Sequence, residues 1–204
     1  REELDNTLNN PDDVRNRLGE SLLGVLPLLK DSEITRKGVA TIFGRNNLSS
    51  FAEAIRSIRT TLLVSDRDAG QLAARRLSVL VSSAEPGEGK SVLASNLAAA
   101  FGQLGKTLLV DADLRRPAAE RNFRLKALSF GLADLLAGKA TPGKCIQHLE
   151  RWQIDVLPAG KIPLNPLELL SSDCLPTLIQ QLQQEYDYIV IDSAPCESVS
   201  DAMV

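Results

Sequence analysis

The residues with the plainest chemistry lie in one nine-residue stretch: Ala84, Glu85, Pro86, Gly87, Glu88, Gly89, Lys90, Ser91 and Val92. Glycines at 87 and 89 let successive backbone N–H groups turn toward one point with no Cβ in the way. Lys90 can reach the β- and γ-phosphates of a nucleotide, and the Ser91 hydroxyl is a suitable ligand for Mg²⁺. Such a loop works only between a strand and a helix. Leu77 to Ser82 reads as a strand buried on both faces, and Lys90 to Leu104 as the helix. The helix N-terminus adds partial positive charge where phosphate would sit. The stretch is therefore read as a P-loop for a purine nucleoside triphosphate, Mg-ATP, with Ala84 in place of the usual first glycine.

Three carboxylates join it. Leu108-Leu109-Val110-Asp111-Ala112-Asp113 places two acids at the end of an apolar run, and Ile189-Val190-Ile191-Asp192 places a third. Strand C-terminal ends in a parallel sheet open onto the ligand crevice. A hydrated Mg²⁺ takes one or two carboxylates together with phosphate oxygens.

The elements that position these groups alternate. Strands are expected at 77–82, 107–110, 154–157 and 188–191, and helices at 90–104, 131–136 and 175–185. A further helix starts at Asn165-Pro166-Leu167-Glu168, with Asn as N-cap and Glu168 reaching back to it. This order argues an α/β, P-loop NTPase fold: a mostly parallel sheet flanked by helices. Upstream, Pro11-Asp12-Asp13 opens a helix that Gly19 stops, and Leu22 to Leu26 reads as a short strand. Residues 31–48 read as linker, and Phe51 to Val64 as an amphipathic helix opened by Ser49-Ser50. The division is 1–48 as juxtamembrane segment and linker, and 49–204 as the P-loop domain.

Composition excludes several alternatives. The 204 residues carry a net charge of −3, which gives no reason to expect nucleic acid. Cys145, Cys174 and Cys196 show no metal spacing and read as small buried thiols, and His148 reads as a surface or packing residue. The longest apolar run, Leu22 to Leu29, is too short to span a bilayer.

The P-loop, the D-x-D strand and the Asp192 strand together resemble the bacterial protein-tyrosine kinases (BY-kinases) of polysaccharide export. The likeness extends to Glu53-x-x-Arg56-x-x-Arg59, to Pro163-x-Asn165-Pro166-x-Glu168-Leu169-Leu170 and to Val199-Ser200-Asp201-Ala202. The opening, from Asp5-Asn6-Thr7 through Pro11-x-Asp13-Val14 to Leu23-Gly24-Val25, is similar to the segment after the last membrane helix of chain-length regulators fused to such kinases. The septum-site and plasmid-partition ATPases share the D-x-D, but carry a lysine where this chain has Glu85.

The resemblance implies an autophosphorylating tyrosine kinase controlling capsular or exopolysaccharide export, at the cytoplasmic face of the bacterial inner membrane. The alternatives are a membrane-recruited ATPase switch, or a non-catalytic partner that oligomerises with nucleotide. Within the kinase reading, Lys90 would neutralise the transferring phosphoryl group, while Ser91, Asp192 and one D-x-D acid, taken as Asp113, would hold Mg²⁺. The other, Asp111, would orient or deprotonate the tyrosine. Arg115 and Arg116 would meet phosphate or an acidic partner; for Arg121, Arg124 and Lys126 a solvated basic face is an equal alternative. Glu53, Arg56 and Arg59 would build a homo-oligomeric ring in which a neighbour's tail tyrosines enter the site. The membrane regulator segment would act in cis or in trans. Tyr186 and Tyr188, the two tyrosines of the chain, lead into the last strand and are expected to be buried there.

Overall fold

The computed structural model describes residues 11–29, 42–45, 49–68, 76–126, 130–171 and 173–196. The motifs at Asp5–Thr7 and Val199–Ala202, and most of the expected linker, lie outside the described residues.

Five strands form one sheet in the order β1-β5-β2-β4-β3: β1 Leu77–Val81, β2 Thr107–Asp111, β3 Gln147–Leu149, β4 Ile154–Leu157 and β5 Tyr188–Asp192. All neighbours are parallel except β3, which runs antiparallel to β4. The helices are α1 Pro11–Asp13, continued by a π-helical turn Val14–Leu18, then α2 Ile42–Arg45, α3 Ser50–Asp68, α4 Lys90–Gly102 and α5 Ala119–Phe123. They are followed by α6 Leu132–Leu136, α7 Pro142–Cys145, α8 Pro166–Leu170 and α9 Cys174–Leu182.

The period of two along each inner strand divides the core between two faces. Leu108, Val110 and Ile189 point to one side, against Leu132, Leu136, Leu170, Leu178 and Leu182 of α6, α8 and α9. Leu109, Val156 and Val190 point to the other, against Leu97 and Phe101 of α4 and Phe123 of α5. On that second side a further layer covers α4: Phe51, Ala52 and Ile55 of α3 and Phe43 of α2 bury against Ala99 and Ala100. The Phe43 amide donates to Asn96 Oδ1 of α4 at 2.9 Å. The result is the expected α/β arrangement, a mostly parallel sheet flanked by helices.

Several expectations are corrected. Leu22 to Leu26 is not a strand; Gly24 and Pro27 break the run. The segment lies against α3 instead, where a Cβ on Gly24 would stand 2.6 Å from Ile58. Leu26 and Leu29 pack on the core while Leu22, Leu23, Val25 and Leu28 are exposed. β1 is an edge strand rather than one buried on both faces, and Leu80 is 53% exposed. Within the stretch read as linker, Ile42–Arg45 is a helical turn. Glu168 meets the Asn165 side-chain amide, at 2.7 Å, rather than its backbone N–H. Of the three cysteines only Cys145 is buried. The two tyrosines are buried as expected, and among the described residues no helix is long and apolar enough to cross a membrane.

Candidate functional site

The loop between β1 and α4 adopts the backbone its glycines permit. Gly87 and Gly89 have φ of 91° and 90°, a region closed in practice to residues with a Cβ. The Glu88 carboxylate accepts from the Glu85 amide at 3.0 Å and tightens the loop. Gly89 is the N-cap of α4, and no side chain caps the helix, so its first-turn amides face an anion site without an internal competitor.

The three acids converge beside it. In the β2–β5 register Asp111 stands directly opposite Asp192, at the C-terminal ends of both strands. All three are buried, with exposures of 1% for Asp111, 2% for Asp113 and 4% for Asp192. Lys90 Nζ donates to Asp113 Oδ2 at 2.9 Å and to Ser91 Oγ at 3.3 Å, and lies 3.7 Å from Asp192 Oδ1. The loop lysine, the hydroxyl and the carboxylates thus form one cluster.

The acids are not equivalent. Asp113 Oδ1 accepts from the Arg116 amide at 2.9 Å and the Arg115 amide at 3.3 Å. Burial pushes its carboxyl up, but the Lys90 hydrogen bond, these amides and the Lys90 charge outweigh it and hold it below the usual range. Asp111 Oδ2 accepts from the Ala118 and Ala119 amides at 2.8 and 2.7 Å, tying β2 to the start of α5. Burial dominates there, and with the neighbouring charges of Asp192 and Asp113 it raises Asp111 to about 7 against the two amide bonds. Asp192 is raised too, by burial first, with the Ser91 hydroxyl and Lys90 opposing.

Asp111 Oδ1 and Asp192 Oδ1 are buried and have no hydrogen-bond partner among the described residues, although Lys90 Nζ lies 3.7 Å from Asp192 Oδ1. A buried Asp192 oxygen that accepts no hydrogen bond, on a carboxylate beside the Ser91 hydroxyl and the phosphate-binding loop, fits a divalent cation. The residues therefore suit Mg²⁺, with Ser91, Asp192 and the D-x-D acids as the available donors.

Of these groups Lys90, Ser91 and Asp113 line a cleft of about 440 Å³, together with the loop, Arg115, Arg116, Ala118, Arg121, Ala194 and Pro195. Arg115 and Arg116 were expected there. Arg121 was equally open to a solvated role; it lines the cleft, while Arg124 and Lys126 do not. The sequence grouped Arg121 with Arg124 and Lys126, and the fold of α5 is what separates it from them.

The other expected residues lie apart. Glu53, Arg56 and Arg59 sit on α3, where Arg56 donates to Glu53 at 2.5 Å and covers the Phe43 ring with its guanidinium 5.7 Å from the centroid. Arg59 Nη1 donates to the Ala100 carbonyl in the last turn of α4 at 2.6 Å. His148 is an exposed partner of Asp155 across the β3–β4 pair, at 2.6 Å, and takes no part in the site.

A family model described as an AAA domain matches residues 78–203. Tyrosine-protein kinase YwqD of Bacillus subtilis is 39% identical over 154 residues, which is 75% of this chain and 62% of that protein. The structure of the kinase domain of Escherichia coli tyrosine kinase ETK superposes with a TM-score of 0.84 at 30% identity, covering 96% of this chain and 77% of that domain. The septum site-determining protein MinD of Pyrococcus horikoshii, complexed with Mg-ADP, gives a TM-score of 0.52 at 28% identity, covering 63% of this chain and 53% of its own. The chain spans between about a fifth and two thirds of the length of the curated relatives it matches.

Proposed function

Since the chain belongs to the AAA domain family of P-loop proteins and, within it, carries the domain of the bacterial tyrosine-protein kinases, we propose that it transfers the γ-phosphoryl group of Mg-ATP to tyrosine. The observation that carries this reading is the single cluster of Lys90 and Ser91 with the buried acids Asp111, Asp113 and Asp192 at the strand ends beside the phosphate loop.

The contacts support the following roles. The loop amides and the α4 N-terminus hold the phosphates, and Lys90 exchanges its Asp113 contact for the transferring group. Ser91, Asp192 and Asp113 would hold Mg²⁺, which would supply charge neutralisation at the phosphate oxygens. The tyrosine oxygen forms the new bond to phosphorus as the bond to the bridging oxygen of ADP breaks, and Asp111 receives the hydroxyl proton. A carboxyl raised to about 7 suits a base working near neutrality.

Around this centre we place 1–48 as a juxtamembrane segment and 49–204 as the kinase domain, at the cytoplasmic face of the inner membrane, within a regulator of capsular or exopolysaccharide polymerisation. The acceptor is a tail tyrosine of a neighbouring subunit in a homo-oligomeric ring. The ATPase-switch reading is less well supported: Glu85 departs from that group's lysine, and the MinD likeness covers 63% of the chain against 96% for the kinase domain.

Phosphotyrosine formed on incubation with Mg-ATP is the test. Lys90→Met should lower it by about 10²–10³-fold, as for loss of one transition-state charge contact. That substitution also strips Asp113 of its cation, so Lys90→Met/Asp113→Asn and a thermal melt of each variant separate chemistry from folding. Near-normal transfer by a folded Lys90→Met protein would remove Lys90 from the mechanism.

A further inference from the structure

Three arginines line the cleft besides Lys90 of the phosphate loop. Lys90 and the uncapped α4 N-terminus serve the phosphates at its floor, and the cation site lies with them. On the facing wall stand these three guanidiniums, exposed Arg115, Arg116 and Arg121. The sole carboxylate among the lining residues is Asp113, and Lys90 and two backbone amides engage it. The chain as a whole is at −3, so this wall is a local concentration of charge and not a general background. A wall of one sign raises the local concentration of the opposite sign.

The helical turn that carries Arg121 is anchored. Its residues Ala119 and Phe123 are buried on the α4 side, and the Asn122 amide group donates to Ser95 Oγ of α4 at 3.2 Å. The turn begins on the two amides that Asp111 accepts. The helix therefore sets Arg121 on the cleft two residues beyond the amides that bond to Asp111. Arg124, three residues on, closes the helix in the left-handed region at φ 53° and lies outside the cleft. The fold has divided one basic run of sequence into a cleft wall and an outer surface.

We propose that Arg121, beside Arg116, is a specificity residue that receives an acidic peptide segment flanking the acceptor tyrosine. The proposal rests on the kinase reading and names its substrate class: tyrosines with Glu or Asp close by in sequence.

The test is binding, so that it does not depend on turnover. A short fluorescent Glu-rich peptide with phenylalanine in place of tyrosine is titrated onto the protein in Mg-ADP, beside a Gln-rich peptide of equal length. The wild type should bind the Glu peptide with a salt-dependent affinity and the Gln peptide far more weakly. Arg121→Glu should weaken the Glu peptide by about tenfold, and Arg124→Glu by less than about twofold. The idea is overturned by equal binding of both peptides, by Arg121→Glu matching the wild type, by Arg124→Glu losing as much, or by a loss that falls on Mg-ADP affinity instead. Phosphotyrosine formation is scored separately: its absence would count against the kinase reading and leave the peptide result standing.

Discussion

Asp111 and Asp113 are two residues apart on one strand end, yet their surroundings drive them in opposite directions. Lys90 and two amides favour the charged form of Asp113, whereas burial and two neighbouring carboxylates favour the neutral form of Asp111. Pairs of acids separated in this way divide the labour of a site, one holding charge and one exchanging a proton. The linkage has a testable sign. Burial raises the Asp111 carboxyl to about 7 in the folded protein, against 3.8 for an ordinary aspartate. Between those values the folded state binds more protons than the unfolded state. Its contribution is complete below about pH 4 and is lost as pH rises through about 7. Urea midpoints of the nucleotide- and metal-free protein should therefore fall from about pH 5 to pH 8. Asp111→Asn should flatten that slope, leaving a remainder from Asp192, whose carboxyl is raised as well. A slope unaltered by the substitution would place the titration elsewhere.

At the scale of elements, Arg59 joins two helices. Its guanidinium caps the Ala100 carbonyl, one of those left over at the α4 C-terminus, while its Nε is buried without a partner. Burial pushes its pKa down from the usual arginine value, with Arg56 adding to the effect. Arg59→Ala should cost about 1–3 kcal/mol in urea unfolding, the range for a hydrogen bond from a charged group. A loss near zero would show that the α3–α4 contact rests on apolar packing alone. The sequence made the long periodic elements and the strand-end acids legible, because buried strands and an amphipathic helix carry their pattern locally. It did not reveal α5, whose N-cap is Ala118 and whose capping group is Asp111, seven residues upstream. Nor did it reveal β3, three residues long, joined to β4 by a turn with Gln153 at φ 53° where a hairpin would ordinarily signal itself with glycine. Arg121 was visible only as one of a basic cluster, for the same reason as α5. Its place depends on tertiary contacts, which leave no period in the chain.

At the scale of the whole molecule, the ring reading can now be tested more selectively than by deleting all three residues of the Glu53-x-x-Arg56-x-x-Arg59 run. Arg56 and Arg59 have work within the subunit, over Phe43 and on Ala100. Removing them would confuse assembly with folding. Glu53 differs: its side chain is 65% exposed and bonds only one turn along, to Arg56, which holds its carboxyl below the usual range. Such a pair contributes little to a monomer, so charge at position 53 is available to a neighbouring subunit. Glu53→Lys should leave the melt close to wild type. If α3 forms a subunit contact, it should lower the oligomer size of the protein in Mg-nucleotide, measured by light scattering at matched concentration. Phosphorylation between subunits should fall with it, because a tail tethered in a ring meets the neighbouring site at a far higher effective concentration than one in solution. The loss should recover as protein concentration is raised, since the site itself is untouched. A mass distribution identical to wild type would end the ring reading of α3 and leave it as the outer layer that buries α4.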